Sequence, residues 1–138
     1  MGNTYLSTIP EFYIPYLLII RIKRIYDSPK EDNSYRILVD RLWPRGLSKE
    51  KTRIDLWQKD IAPSNTLRKW FGHDEKKWDE FKRKYFKELD KKSNRDAVDR
   101  IIKLAKEQNS ITLLYGTKEE RFNNAVALKD YLEEKIKK

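Results

Sequence analysis

Two short runs in this chain have apolar centres that no charged residue interrupts. They are Ile37-Leu38-Val39 within YRILVDRLW and Leu113-Leu114-Tyr115 within SITLLYGT. A strand with one wet face alternates, whereas a strand with an unbroken apolar centre has to be covered on both faces, as in the parallel sheets of α/β proteins. A long stretch of helix-patterned chain separates the two runs, and such a connection is a right-handed crossover between parallel strands. Upstream, LIIRIKRIYD alternates Ile20 and Ile22 with Arg21 and Lys23, which is strand periodicity. The expected class is therefore α/β. We expect a small, mostly parallel sheet of about three strands flanked by helices in the order β-β-α-α-α-α-β-α, Rossmann-like with two or three layers.

The connecting chain supplies the helices. Ser48 is placed to cap one that carries Ile54 and Trp57 inward and stops before Pro63. APSNTLRKWFGHD reads as a turn with one or two helical turns, and Asp74 as the cap of the next helix. Trp78, Phe81, Tyr85 and Leu89 then recur at spacings of three and four, an amphipathic stripe. Ser93 or Asn94 caps another helix, with Val98, Ile101, Ile102 and Ala105 on its apolar face. The last helix carries Ala125, Leu128, Leu132 and Ile136, and EEKIKK reads as its fraying end. No internal repeat is visible. The 138 residues suit one domain with a real core, here assigned to residues 17–138, with residues 1–16 as an extension. Tyr13 to Ile20 is too short for a bilayer span, which needs about 20 apolar residues, and Pro15 interrupts it. The N-terminus lacks the basic start and small-residue cleavage site of a signal peptide, so a cytoplasmic location is expected.

Composition removes several chemistries. There is no cysteine, which excludes disulfides, thiolate zinc sites and a cysteine nucleophile. With His73 as the single histidine, His-cluster metal sites are excluded too, and no metal or other cofactor is expected. The formal net charge is +9, spread along the chain. That balance points to an anionic partner, either a small acidic ligand or nucleic acid. Its plainer reading is a solvated surface of the kind that thermophilic proteins lace with ion pairs, in keeping with a charged fraction of 38%.

In an open parallel sheet, ligands bind beyond the carboxyl ends of the strands. One such end is DRLWPRG, with Asp40, Arg41, Trp43 and Arg45; another is YGTK, with Tyr115 and Lys118, followed by Asn123 and Asn124. If the two strands are parallel, both loops open on one edge and build an anion site. Each residue also has a simpler role open to it. Asp40 and Arg41 can pair with neighbours, Trp43 can be core, and the asparagines can be helix caps. YGTK is not a Walker loop, which needs a longer glycine-spaced pattern. A second constellation lies in SNTLRKWFGHD, where Ser64, Arg68, Trp70 and His73 stand close in sequence. Histidine ordinarily titrates near neutrality, so His73 is the candidate general acid or base, with Asp40 as the other proton carrier and Arg68 holding an anion beside it. The alternative for His73 is a helix cap and turn at Gly72-His73-Asp74. Trp57, Trp70, Phe71 and Trp78 read as core aromatics.

The stretch YRILVDRLWPRGLSKEKTRIDLWQKDIAPSNTLRKWFGHD, together with ITLLYGTKEERFNNAVALKDYLE, closely resembles the YeaO-like branch of a family of bacterial and archaeal domains of unknown function. The resemblance covers roughly residues 20 to 133, and DRLWPRG with LRKWFGH at this spacing is specific. It implies a compact α/β fold. It also implies shared importance for Asp40, Arg41, Trp43, Pro44, Arg45, Gly46, Trp57, Ser64, Arg68, Trp70, Gly72, His73, Tyr115, Lys118, Asn123 and Asn124. It brings no settled activity. Relatives outside the branch carry a cysteine at the end of the last strand, where this chain has Tyr115, so thiol chemistry does not carry over. Relatives within it usually have a histidine just before the paired asparagines, where this chain has Phe122.

Two functions compete at this point. One is a small enzyme or binding protein for a phosphorylated or carboxylated ligand, held by Arg41, Arg45, Arg68 and Lys118. The other is a nucleic-acid-binding protein that uses its basic surface, although no zinc finger, RNP motif or other nucleic-acid signature is present. A homodimer built on an exposed apolar patch is the third option.

Overall fold

A computed structural model describes residues 18–29 and 32–137. The expected extension over residues 1–16 lies outside the described residues. Four parallel strands form one sheet: β1 (Ile19–Arg24), β2 (Tyr35–Leu38), β3 (Leu56–Trp57) and β4 (Ser110–Tyr115), in the order β1-β4-β2-β3. The helices are α1 (Lys49–Thr52), α2 (Asn65–Phe71), α3 (Trp78–Asp90), α4 (Arg95–Gln108) and α5 (Asn124–Lys137), with short 3₁₀ turns between them. The α/β class is the one read from the sequence. β2 and β4 are parallel neighbours, in register from Tyr35↔Ile111 to Leu38↔Leu114.

Several expectations fail. The sheet has four strands rather than three, because the helix opened by Ser48 does not reach Trp57. The helix ends at Thr52, because Arg53 takes a left-handed conformation at φ 48°, and the chain then runs out as β3. Ile54 and Trp57 sit three apart, a spacing that by itself suits one helical face. Long-range bonds decide otherwise. Asp55 N donates to Arg36 O at 2.9 Å, Gln58 N donates to Leu38 O at 2.9 Å, and Arg36 N donates to the Asp55 carboxylate at 2.8 Å. Nor do the expected caps all hold: Ser48 and Asn94 occupy N-cap positions without a side-chain cap bond, and the Asn94 amide donates to Glu88 O instead. Asp74 caps a 3₁₀ turn rather than α3 itself.

The two sheet faces are covered differently. Ile20, Ile37, Val39, Ile111, Leu113 and Tyr115 join the large core built with α2 to α5. Each aliphatic side chain fully buried there is worth about 1.5–3 kcal/mol, so this face supplies most of the driving force. On the other face, Leu38 and Leu114 pack with Ile25 under Trp43, Leu47, Ile54 and Trp57, a coat of loop rather than helix. The same face also holds a buried polar cluster. Arg36, 1% exposed, donates from Nη1 to Asp32, from Nε to Arg53 O at 3.0 Å and from Nη2 to Thr52 O at 3.2 Å. Asp32 also accepts from Ser34 N and Oγ, and Ser34 bonds Thr112. Burial would raise the Asp32 pKa, but the Ser34 bonds and the Arg36 guanidinium outweigh it and bring it to about 2.

Candidate functional site

Because all the strands are parallel, the chain after β2 and the chain after β4 emerge on one edge of the sheet. A cleft of about 200 Å³ opens there, lined by Asp40, Arg41 and Leu42 after β2, Thr117 after β4, Asn124 opening α5, and Ala62, Pro63, Arg68, Phe71, His73 and Phe81 from the α2–α3 side. The structure thus brings Asp40, Arg41, Arg68, His73 and Asn124 together.

Asp40 ties the two loops to each other. Its Oδ2 accepts from Gly116 N at 2.8 Å and its Oδ1 from the Asn124 amide at 3.0 Å, and that amide also reaches Val39 O at 3.2 Å. The approach at position 116 is close, since a Cβ there would stand 3.2 Å from Asp40 Oδ2; glycine is what lets the loops meet. Burial raises the Asp40 pKa. The bonds from Asn124 and Gly116 act against that, as do the charges of His73 and Arg68.

Arg41 turns from the same loop towards α2. Its Nη2 donates to Ala62 O at 3.1 Å and Pro63 O at 3.4 Å. Its Nε is buried and has no partner among the described residues. The carbonyls it meets are themselves fixed in place. The buried Tyr85 hydroxyl donates to Ile61 O at 2.6 Å just before them, and Ser64 starts α2 just after them. Arg68 is exposed, and its one side-chain bond is a long contact to Asn65 Oδ1 at 3.4 Å. Neither Arg41 nor Arg68 forms an ion pair with a described residue.

His73 is held by its backbone and by its ring. Gly72 and His73 have φ of 54° and 58°, a left-handed pair that ends α2 and swings the imidazole over the cleft. Nδ1 lies 2.9 Å from Phe122 O. A carbonyl only accepts, so Nδ1 carries the proton, and Nε2 makes no hydrogen bond to a described residue. The cleft wall beneath is aromatic. Phe71 stacks on Phe81 at 4.1 Å, and His73 meets the edge of Phe71 at 5.6 Å.

The other residues singled out in the sequence lie elsewhere. Trp43 faces the loop-covered side of the sheet, edge-on to Trp57 at 5.4 Å, and donates to Leu47 O at 2.7 Å. Trp57 donates to Asp40 O at 2.8 Å and so steadies the loop from behind. Arg45 and Lys118 are exposed and outside the cleft lining. Ser64 caps α2 and binds the Glu88 carboxylate through N at 2.9 Å and Oγ at 2.6 Å. Trp70 lies with Ser64 in a separate open depression between α2 and α3, where Lys84 stands 4.1 Å over its ring. Tyr115 is buried in the large core. Asn123 is fully buried, accepts from Val126 N at 3.0 Å and so caps α5, while its amide donates to Glu119 O. The apolar half of the cleft (Leu42, Ala62, Pro63, Phe71 and Phe81) carries no signal in the sequence beyond that of ordinary core or turn residues. Among the described residues no group of three or more His, Cys, Asp or Glu is placed to hold a metal, and no helix is long and apolar enough to cross a membrane.

The model of a family described as the inactive DUF488-N3 subclade matches residues 19–138, which takes in both loops, α2 and α5. The chain belongs to that family. It is 41% identical over 113 residues to the uncharacterized protein YeaO of Escherichia coli (strain K12), covering 82% of this chain and 96% of that protein. An uncharacterized protein of Mycobacterium tuberculosis (strain H37Rv) is 43% identical over 70 residues, covering 51% of this chain and 59% of that one. No solved structure matches. The Phe122 carbonyl holds His73, while the Phe122 ring packs edge-on against Trp78 at 5.5 Å.

Proposed function

We propose that the cleft at the carboxyl edge of the sheet binds a small anionic ligand, carboxylated or phosphorylated, through Arg41, Arg68 and His73. The observation that carries this reading is that Arg41, which lines the cleft, has a buried Nε with no partner among the described residues, and that neither it nor Arg68 pairs with a carboxylate among those residues. A buried guanidinium donor without an acceptor costs roughly 1–3 kcal/mol, and an anion in the cleft recovers it. Asp40 acts here as a positioning residue, since both its oxygens are spent on Gly116 and Asn124. His73 Nε2 is the group left for proton transfer. Binding without turnover is the simpler use of this site, and it accords with a family described as inactive.

Nucleic acid remains the competing partner on the strength of the +9 charge alone. The cleft favours a small ligand, because its volume of about 200 Å³ lies below the roughly 300–1,000 Å³ of sites for drug-sized molecules. A thermal-shift titration with acetate, benzoate, phosphate and sulfate at constant ionic strength tests the reading. Saturable stabilisation that disappears in Arg68→Ala supports it. No anion stabilising the wild type beyond the ionic-strength control overturns it.

A further inference from the structure

The anion reading leaves the headgroup open, and the walls of the cleft go further. Its lining carries two arginines, one aspartate and one histidine. The two arginines carry fixed positive charge, and Asp40 accepts N–H bonds at both of its oxygens, as a carboxylate anion does, so these three groups sum to one positive charge. A phosphomonoester brings about −1.5 to −2 at neutral pH, and the excess would sit against the half-buried Asp40 carboxylate, whose ionised form burial already disfavours. A carboxylate brings one negative charge and matches the sum.

The apolar lining says what the carboxylate is attached to. Phe71 and Phe81 form a stacked wall, Ala62 and Pro63 continue it, and Leu42 projects at the cleft, 70% exposed. An exposed leucine beside guanidinium groups that form no ion pair with a described residue gains from a hydrocarbon body at about 25 cal/mol for each Å² removed from water. The volume of about 200 Å³ limits that body to roughly one ring or a short branched chain.

We infer that the ligand class is a monocarboxylate with a compact apolar body, its carboxylate on Arg41 and Arg68 and its hydrocarbon on Phe71, Phe81 and Leu42. The inference rests on the anion site proposed above and narrows it.

Isothermal titration of the full chain with four probes at fixed ionic strength tests it: benzoate, acetate, inorganic phosphate and neutral benzamide. The expected result is that benzoate binds about tenfold or more tighter than each of the other three. Phosphate binding as tightly as benzoate overturns the carboxylate assignment and leaves an anion site standing. Acetate equal to benzoate overturns the apolar body, and benzamide equal to benzoate overturns the role of charge. If no anion binds, the underlying reading falls with it. Asp40→Asn sharpens the charge argument, because the benzoate-to-phosphate ratio should narrow severalfold when the cleft gains a unit of positive charge. Should that variant not fold, Leu42→Ser is the substitute. It lies on an exposed side chain and should weaken benzoate while leaving acetate unchanged; equal losses for both would contradict the placement of the hydrocarbon.

Discussion

Arg36 and Arg41 stand five residues apart on the same strand-and-loop segment, each beside an aspartate, and the two environments have opposite logic. In the cluster around Arg36 every guanidinium nitrogen has an acceptor, and Asp32 accepts from Ser34 and Arg36 together. That cluster is closed; it fastens the loops to the polar face of the sheet and has nothing left to offer a ligand. Around Arg41, Nη2 is spent on two carbonyls, Nε has no partner among the described residues, and Asp40 bonds a backbone amide and a side-chain amide rather than an arginine. The electrostatics follow suit, with Asp32 lowered to about 2 and Asp40 raised. Satisfied charge builds structure, and unsatisfied charge in a cleft is available for binding.

The largest effect that tests this contrast is on stability. Arg36→Leu leaves the buried Asp32 with only Lys23 Nζ, 4.0 Å away, as a cation and should cost about 3–5 kcal/mol, whereas Arg68→Ala at the cleft should stay within about 0.5 kcal/mol. Urea denaturation of both variants measures the difference, and equal losses would dissolve the distinction.

Acid titration comes next, and the two aspartates should pull in opposite directions. The folded pKa of Asp32 lies below its ordinary value of 3.8, so its contribution is complete above about pH 4 and is lost as pH falls towards 2. The folded pKa of Asp40 is raised, so protonating it on acidification removes a burden, and its contribution to stability grows as pH falls through that raised value towards 3.8. Comparing the stability–pH curves of wild type and Asp40→Asn isolates the second term. The variant should lack the gain in mild acid and keep the loss at lower pH.

A smaller effect concerns binding. Arg68→Ala should weaken benzoate about tenfold at unchanged Tm, as read by calorimetry. The smallest concerns Arg45, the exposed arginine of the loop that carries Arg41. Arg45→Ala should leave benzoate affinity unaltered. A salt titration against short single- and double-stranded DNA and RNA should show little binding at about 150 mM salt for either protein. Tight binding with a steep salt slope, weakened evenly by the substitution, would instead make nucleic acid the partner.

Much of this arrangement was legible in the residues. Apolar runs at Ile37–Val39 and Leu113–Tyr115 announced buried parallel strands, and the parallel arrangement brought DRLWPRG and the chain after YGT to one edge. From there Asp40, Arg41 and Asn124 could be placed near one another. β3 was not legible, because two residues carry no periodicity and its strand character comes from Arg36 and Leu38 across the sheet. Side-chain direction was not legible either. Within one loop Arg41 turns to the cleft and Trp43 to the opposite face of the sheet, and spacing along an irregular segment does not fix such turns. The polar cluster at Asp32 and Arg36 escaped for a related reason. An arginine inside an apolar strand looks like a solvent-facing residue until the loop that covers it is known.

Amide-resolved NMR titration of the ¹⁵N-labelled protein, run separately with benzoate and inorganic phosphate at fixed ionic strength, tests the central claim most directly. The account predicts saturable shifts at Leu42, Arg68, His73, Gly116 and Asn124, with Ser34, Arg36 and Thr112 unmoved. Shifts that never saturate, that spread over the surface lysines, or that are as large at Ser34 and Thr112 as at the cleft would contradict it.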